Sequence, residues 1–191
     1  MPEPSGAMKL KGEFLIAMPQ LADPNFRQTV VCIREHSPEG ALGLIVNRIY
    51  PNLTAKDIFE ELKMEFDPQS GHIPVHNGGP VHTGDLFVLH EPPFGWEGCR
   101  PMRPELALTN TKDILMAIAQ GKGPRRFLVL LGYAGWGPGQ LETELKENSW
   151  LTVPVNAGII FDAPLNRRWA DALKLMNIAD PAFLSGVSGR A

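Results

Sequence analysis

The 191-residue sequence lacks the features that define several large classes of protein. It contains two cysteines, Cys32 and Cys99, which are too few for a disulfide framework and are expected to be reduced thiols. No apolar run approaches the roughly 18 residues that a membrane-spanning helix needs. Residues 1–8 contain neither the basic region nor the apolar core of a signal peptide. Together these absences predict a cytoplasmic protein with no membrane association.

An excess of positive charge is also missing. The 18 Lys and Arg residues are outnumbered by 21 Asp and Glu residues, which gives a formal net charge of −3 at pH 7. Nucleic-acid-binding proteins usually present a basic face, and the sequence contains no helix-turn-helix pattern. The charge balance therefore argues against direct DNA binding, although it leaves room for a local basic patch.

The chain length and the order of the elements predict a single domain over residues 1–191, with flexible ends at 1–10 and 185–191. Glycine (19) and proline (18) are frequent and punctuate short apolar segments. The predicted strands and helices do not alternate regularly, which argues against a doubly wound parallel sheet. We expect an α+β fold with one curved, mixed and mostly antiparallel sheet and about four packed helices.

Hydrophobic periodicity and turn residues place the individual elements. The predicted strands cover residues 14–18, 29–33, 42–47, 72–76, 86–89, 106–108, 127–131, 150–155 and 156–161. Pro74 suggests that the strand at 72–76 lies at a sheet edge. Helices are predicted at 54–64, from residue 110 or 111 to Gly121, after Pro138, and at 166–178. Thr54 and Asp57 have the spacing of a capping box at the start of the first helix.

Residues 127–142 combine a buried strand, a turn with four glycines and the start of a helix. A glycine turn before a helix N-terminus is a common phosphate site, because free backbone N–H groups converge there. The spacing here matches neither G-x-G-x-x-G nor G-x-x-x-x-G-K-[ST]. Glu142 and Glu144 also bring negative charge to this helix. The pattern therefore favours a sharp structural turn over a phosphate site, and it predicts no cofactor.

Four histidines, His72, His76, His82 and His90, lie within 19 residues. They lack the companion residues of known metal motifs, so separate structural roles are favoured and no metal ion is predicted. No G-x-S-x-G sequence is present, and no serine has an obvious neighbouring base. Cys99 lies in a loop with nearby arginines and is the more plausible reactive thiol, but inert packing is favoured. The sequence therefore predicts no catalytic residue.

Polar residues at strand ends are the better candidates for binding a ligand. Arg27 and Gln28 precede one predicted strand, and Asn47 and Arg48 end the next. We expect these strand-end residues to line one pocket. The turn at Gly78–Gly79, which offers free backbone groups, and the end of the 127–142 stretch would complete that pocket. The candidate ligand-binding residues are Arg27, Asn47, Gly78, Gly79, Trp136, Gln140 and Glu142.

Several segments, in a fixed order, resemble the YqgE/AlgH family of bacterial proteins. They are GEFLIAMP at 12–19, LADPNFRQTVV at 21–31, GLIVNR at 43–48, GGPV at 78–81, LGYAGW at 131–136, GQLE at 139–142 and NSWL at 148–151. The resemblance covers roughly residues 12–188. It implies an α+β fold with a bifurcated, barrel-like sheet and a small cytoplasmic bacterial protein. It carries over no catalytic residues, because none is established for the family.

The family resemblance leaves the biochemical function open. One branch of the family is named as a transcriptional regulator of alginate synthesis. Our leading hypothesis is a soluble, non-enzymatic regulatory or binding protein that acts through a small ligand or a protein partner. The alternative is a nucleotide-binding protein or enzyme that uses the glycine turn at 132–139 with Arg27 and Asn47. The sequence does not indicate an oligomeric state.

Overall fold

A computed structural model describes residues 9–177 as a mixed α+β fold with five α-helices. The strands are β1 (Glu13–Ala17), β2 (Val30–Ser37), β3 (Gly40–Ile45), β4 (Ile49–Thr54), β5 (Pro74–Asn77), β6 (Val81–His90), β7 (Arg100–Arg103), β8 (Leu106–Thr109), β9 (Phe127–Trp136) and β10 (Trp150–Pro154). The helices are α1 (Ala55–Glu61), α2 (Lys112–Ala119), α3 (Gln140–Lys146), α4 (Ala157–Phe161) and α5 (Arg168–Lys174). Short 3₁₀ turns occur at Ser70–His72 and Leu165–Arg167.

The strands form one curled sheet that divides at β9. The main path runs β10-β1-β2-β3-β9-β6-β8-β7, and β4 and β5 form a branch that joins β9. Strand β9 pairs with β6 along one edge, while β5 and β3 share its other edge. The β5 pairing is parallel and uses Val129–Leu131, whereas β3 pairs antiparallel with residues 134–136. The expected bifurcated, mostly antiparallel sheet is confirmed.

The division occurs at Gly132, which has a φ of +75° that favours glycine. The turn that leaves β5 passes so close to β9 that neither chain has room for a side chain. A Cβ atom on Gly78 would lie 2.3 Å from the carbonyl oxygen of Gly132, and one on Gly79 would lie 2.1 Å from the carbonyl carbon of Tyr133. The glycines of both segments therefore allow the two backbones to cross.

The sheet is packed on both faces, as the apolar strand sequences require. On β1, Phe14 and Ile16 point into the core that α4 and α5 cover, while Leu15 and Ala17 point to the opposite face with Trp136. A third cluster joins the β6 end of the sheet to α1 and α2. Among residues 9–177, no helix is long and apolar enough to cross a membrane.

Locally encoded elements agree with the sequence predictions. The Thr54–Asp57 capping box is present, and Asp57 accepts a hydrogen bond from the Thr54 backbone N–H at 2.8 Å. Thr111, one of the two predicted alternatives, occupies the N-cap position of α2, although its side chain makes no capping hydrogen bond. Residues 185–191, and residues 1–8 of the predicted flexible N-terminus, lie outside the described part of the chain. Leu10, at the end of that N-terminal stretch, is buried in the core.

Two predictions of local structure were wrong, and two strands were not predicted. Residues 157–161 form helix α4 and not a strand, because the Asn156 side chain accepts a hydrogen bond from the Ile159 backbone N–H and caps the helix. Strand β5 is not an edge strand but lies between β4 and β9; Pro74 is its first residue, where a missing N–H is tolerated. Strands β4 and β7 were not predicted, and α4 brings the helices among residues 9–177 to five, where about four were expected.

Candidate functional site: an arginine-lined cleft

The turn between β1 and β2 forms one wall of a cleft at the end of the sheet. Asp23 begins this turn: its side chain accepts a hydrogen bond from the Asn25 backbone N–H at 2.9 Å. Its carbonyl oxygen accepts further bonds from the N–H groups of Phe26 and Arg27. Gln28 ends the turn with a left-handed φ of +54°. The turn at 23–28 is thus fixed by its own backbone, and Arg27 projects from its exposed side.

Arg48 and Asn47 fasten this turn to the end of β3. The Arg48 guanidinium donates to the carbonyl oxygens of Pro24 and Asn25 at 3.0 and 2.7 Å and to that of Arg27 at 2.8 Å. The Asn47 side chain accepts from the backbone N–H of Val30 and donates to the carbonyl oxygen of Gln28, each at 2.8 Å. Both polar atoms of Asn47 therefore hold backbone in place, which makes it a positioning residue of the cleft.

The opposite wall comes from the C-terminal helical region. The Trp169 indole N–H donates to the carbonyl oxygen of Ala17 at 2.8 Å, which fixes its half-buried ring against the cleft. The neighbouring Arg168 is buried, and its guanidinium donates to the carbonyl oxygens of Ala163 and Val46. Helix α5 is thereby tied to the same end of β3 that carries Asn47 and Arg48. Both walls of the cleft are therefore anchored to the end of β3, which fixes their positions relative to each other.

The cleft has a volume of about 570 Å³ and a positive lining. It is lined by Ala22, Pro24, Arg27, Gln28, Asn47, Arg48, Leu165, Asn166 and Trp169. Two guanidinium groups face this cleft, and no carboxylate is among its lining residues. Burial, together with the positive charge of Arg27, lowers the pKa of Arg48 from its usual value, and Asp23 opposes this effect. Within residues 9–177, the Arg27 guanidinium makes no hydrogen bond or ion pair and is free to bind an anion.

The other five predicted site residues do not line this cleft. Gly78 and Gly79 lie at the crossing with β9, where the absence of a side chain is a packing requirement. They were predicted to offer backbone groups to a ligand, but both glycines are buried. The Gly78 N–H donates to the Leu131 carbonyl oxygen, and the Gly78 carbonyl oxygen accepts from Ile45. This correction could not be read from the sequence, because the close neighbour is about fifty residues away in the chain.

Trp136, Gln140 and Glu142 form internal contacts around α3. The Trp136 indole N–H donates to Glu144 at 2.9 Å, and Gln140 donates to the same carboxylate at 2.9 Å. Glu142 accepts a hydrogen bond from the His36 ring at 2.7 Å. Its own backbone N–H and the His36 hydrogen bond lower the pKa of Glu142 from its usual value. The contacts of Trp136 and Glu142 fasten α3 to the sheet, and the polar atoms of all three side chains are already engaged.

The alternative nucleotide site requires the glycine turn at 132–139 to form one loop next to Arg27 and Asn47, and the structure does not bring these parts together. Residues 127–136 continue as one strand through Gly132, so the four glycines do not form one loop. The Gly137 N–H is already paired with the Gln140 side chain at 3.1 Å. Helix α3 has only seven residues and carries Glu142 in its first turn. Arg27 and Asn47 line the separate cleft described above.

Gln28 and Arg48 also line the cleft, although they were not among the seven candidate residues. Gln28 and Arg48 flank the same strands as Arg27 and Asn47, and the positions before β2 and after β3 are neighbours in an antiparallel pair. Trp169 also lines the cleft and was not among the candidate residues. Its indole N–H bonds the Ala17 carbonyl oxygen while its ring lines the cleft, and this arrangement depends on how α5 packs against the sheet.

The four clustered histidines are separated in the structure. Among the described residues, no group of three or more His, Cys, Asp or Glu side chains is placed to hold a metal ion. His90 is buried and contacts the Thr109 hydroxyl at 2.8 Å, and the Cys99 sulfur lies 4.0 Å from the same ring nitrogen. Burial lowers the pKa of His90 and raises the pKa of Cys32 to about 12. Cys32 is therefore an inert core thiol at neutral pH.

The fold and the cleft define the class of protein: an α+β domain whose curled sheet divides at a central glycine and carries a cationic cleft at one end. A family model described as AlgH-like matches residues 14–180. The chain belongs to the AlgH-like family, which confirms the resemblance predicted from its sequence segments.

Full-length relatives support this assignment. A UPF0301 protein of Desulforapulum autotrophicum is 50% identical over 190 residues, covering 100% of this chain and 99% of the relative. A UPF0301 protein of Burkholderia vietnamiensis is 46% identical over 195 residues, covering 100% of both chains. The solution structure of the AlgH protein from Pseudomonas aeruginosa matches with a TM-score of 0.78 at 41% identity, covering 99% of this chain and 98% of that chain. A Corynebacterium diphtheriae crystal structure matches with a TM-score of 0.71 at 20% identity over 88% of each chain, which shows the fold alone.

Proposed function

We propose that the protein is a non-enzymatic, cytoplasmic binding protein whose arginine-lined cleft takes a small anionic ligand. The observation that carries this proposal is the free Arg27 guanidinium on a cleft that has a second arginine, Arg48, and no carboxylate in its lining. Guanidinium groups bind carboxylates and phosphates with two parallel hydrogen bonds. The Trp169 ring adds a flat apolar wall, so the preferred ligand carries a carboxylate or phosphate attached to a planar group.

The lining chemistry favours binding over catalysis. Covalent and acid–base catalysis require a nucleophile or a titratable group near the reacting atoms. The nine residues that line the cleft include no His, Cys, Ser, Asp or Glu. In this proposal the protein has a regulatory role in which ligand occupancy changes its contact with a protein partner. A role in transcription would then act through that partner and not through direct DNA contact.

Thermal unfolding with a panel of anions tests the proposal. The probes are inorganic phosphate, acetate, benzoate and adenosine monophosphate, which separate the charged group from the planar group. A ligand at one hundred times its dissociation constant stabilises a protein by about 2.7 kcal/mol, which corresponds to a rise of about 5 °C or more in melting temperature for a chain of this size. We expect benzoate or the nucleotide to exceed acetate and phosphate.

A charge-matched pair of variants locates the effect. Arg27→Gln should abolish the rise in melting temperature, because it removes the free guanidinium of the cleft. Arg125→Gln, an exposed arginine away from the cleft with a side chain 88% exposed, should retain it. A flat response across the panel, or a rise that Arg27→Gln does not change, would contradict the proposed function.

A further inference from the structure

A second and larger depression lies at the β6 side of the sheet, and its lining differs from that of the arginine-lined cleft in both polarity and charge. This α1–α2 groove has a volume of about 880 Å³ and runs between helix α1, the irregular part of β6 and the start of α2. It is lined by Leu53, Asp57, Ile58, Glu61, Leu62, Gly84, Asp85, Leu86, Phe87, Asn110, Thr111, Lys112, Leu115 and Leu131.

The floor of the α1–α2 groove is apolar. Leu86 and Leu115 are partly or fully buried beneath it, and Ile58 extends the same surface. Leu62 stands four residues after Ile58, so it continues the apolar stripe of α1 beyond the part that the sheet covers. Its side chain is 46% exposed, which makes it one of the few large exposed apolar residues in the described chain.

The apolar surface continues past the groove itself. A smaller hollow of about 260 Å³ shares Lys112 with the groove and is lined by Met64 and Met116 together with the polar residues Lys63, Glu65 and Gln120. Met116 is 44% exposed on the outer side of α2. Unbranched methionine side chains adapt to different partner shapes and are frequent at protein-binding surfaces. The two hollows together are lined by residues of α1, β6 and α2, which suits an extended apolar stripe better than a compact small molecule.

The rim of the α1–α2 groove carries mostly negative charge. Asp57 and Glu61 lie on α1, Asp85 lies on the facing β6 wall, and Lys112 is the single lysine in the lining. The hydrogen bond from the Thr54 backbone lowers the pKa of Asp57, which keeps its carboxylate ionised at neutral pH. Glu61 forms no ion pair within the described residues. An occupant that matches this rim carries positive charge on both of its sides.

From this combination we propose that the α1–α2 groove binds an amphipathic, basic helix of a partner protein. Leucine-type side chains at positions i, i+3, i+4 and i+7 of that helix fill the floor, and flanking lysines or arginines contact Asp57, Glu61 and Asp85. A second copy of the chain would place one acidic rim against another, and the chain as a whole has a net charge of −3. An anionic lipid surface would be repelled for the same reason.

The test uses a fluorescent model helix in place of the unidentified partner. The probe is a leucine–lysine peptide of about 15 residues, which is long enough to form a helix, with leucines at i, i+3, i+4 and i+7. The matched probe replaces each lysine by glutamate. Fluorescence anisotropy with the full-length protein should show binding of the lysine peptide alone, and the affinity should fall as salt screens the rim charges.

Two exposed positions of the groove provide variants that leave the core intact. Leu62→Lys should weaken lysine-peptide binding by about tenfold or more, because it removes an apolar contact and adds a like charge. Glu61→Lys should weaken it several-fold. The controls are Leu175→Lys and Glu105→Lys, which make the same substitutions at exposed sites outside the groove. All four variants should keep the wild-type melting temperature within a few degrees.

Each of the remaining outcomes overturns the docking proposal. One is the absence of an anisotropy change with the lysine peptide, and another is equal binding of the glutamate peptide. A third is lysine-peptide binding that Leu62→Lys leaves unchanged. A fourth is a dimer in sedimentation experiments that Leu62→Lys dissociates, which would assign the groove to a second copy of the chain.

Discussion

At the scale of single residues, the charged Arg168 contacts the His76 ring in the buried region next to the arginine-lined cleft. Both are almost fully buried, at 4% and 7% exposure, and the Arg168 guanidinium lies 3.2 Å from the His76 ring nitrogen. Arg168 also donates to Val46, next to the Asn47–Arg48 wall. Burial first, and the charge of Arg168 second, lower the pKa of His76 from 6.5 to about 4. The histidine is therefore neutral in the folded protein at pH 7.

This contact predicts a specific loss of stability in acid. The unfolded chain binds a proton to His76 near pH 6.5, whereas the folded chain does so near pH 4. The free energy of unfolding should therefore fall as the pH drops from about 6.5 to about 4, by roughly 3 kcal/mol from this residue. Urea unfolding at several pH values should show a shallower decline for His76→Gln. Identical pH profiles for the two proteins would refute the assignment.

The candidate site was only partly predictable at the residue scale. Arg27 and Asn47 were chosen as polar residues at strand ends, and they share the cleft because the residues that precede β2 and follow β3 are neighbours in an antiparallel pair. Trp136 and Gln140 looked equally available in the sequence, yet their polar atoms are used by Glu144. Which of two polar side chains is free depends on long-range partners, and these are set by the tertiary fold.

At the scale of elements, Arg48 and Arg27 have different predicted roles on the same turn. Arg48 donates to three carbonyl oxygens, and a lysine ammonium cannot reproduce that planar arrangement. Arg48→Lys should therefore lower the free energy of unfolding by about 1–3 kcal/mol. Arg27→Lys should change it by less than about 0.5 kcal/mol, because its side chain is exposed. Equal losses in urea unfolding would show that Arg48 does not hold the turn.

The crossing of the β5 turn with β9 gives a second prediction at this scale. Gly79→Ala places a Cβ atom 2.1 Å from the Tyr133 backbone, at a φ of +150°. We expect a loss of about 4 kcal/mol or more in the free energy of unfolding, or failure to fold. The matched control is Gly84→Ala, where nothing lies within 4 Å of the new atom. Comparable stability of the two alanine variants would argue against the close crossing.

Elements with local signals were predicted well, and elements that depend on distant partners were not. The α1 capping box needs only Thr54 and Asp57, and it was located correctly. Strand β4 contains Pro51 and exposed polar residues, so its sequence does not show its pairing with β5. The Ile159–Ile160 pair suggested a strand, but the Asn156 cap and burial against the sheet produce a helix.

At the scale of the whole molecule, the net charge of −3 conceals two regions of opposite sign. The cleft beside α5 presents arginines, and the α1–α2 groove on the other limb presents mainly carboxylates. Overall composition could not reveal this separation, because contributions of opposite sign cancel in the sum. It supports two independent interactions, one with a small anion and one with a cationic protein segment.

The same charge distribution predicts that the protein does not bind duplex DNA directly. The cleft offers two guanidinium groups, whereas DNA-binding surfaces neutralise many phosphates along the duplex. Fluorescence anisotropy with a labelled duplex should show no complex at physiological salt, with a helix-turn-helix protein as the positive control. A salt-resistant, sequence-specific complex would contradict this prediction and favour a direct role in transcription.

The central position of β9 also has a consequence for how the protein is made. Eight strands leave the ribosome before β9, which begins at residue 127. Until β9 arrives, they can form only three separate groups, β1–β3, β4–β5 and β6–β8, because β9 alone connects these groups in the sheet of the described chain. Strand β10 then closes against β1, the first strand of the described residues. Assembly of the sheet is therefore a late step of biosynthesis, completed by a segment from the last third of the chain.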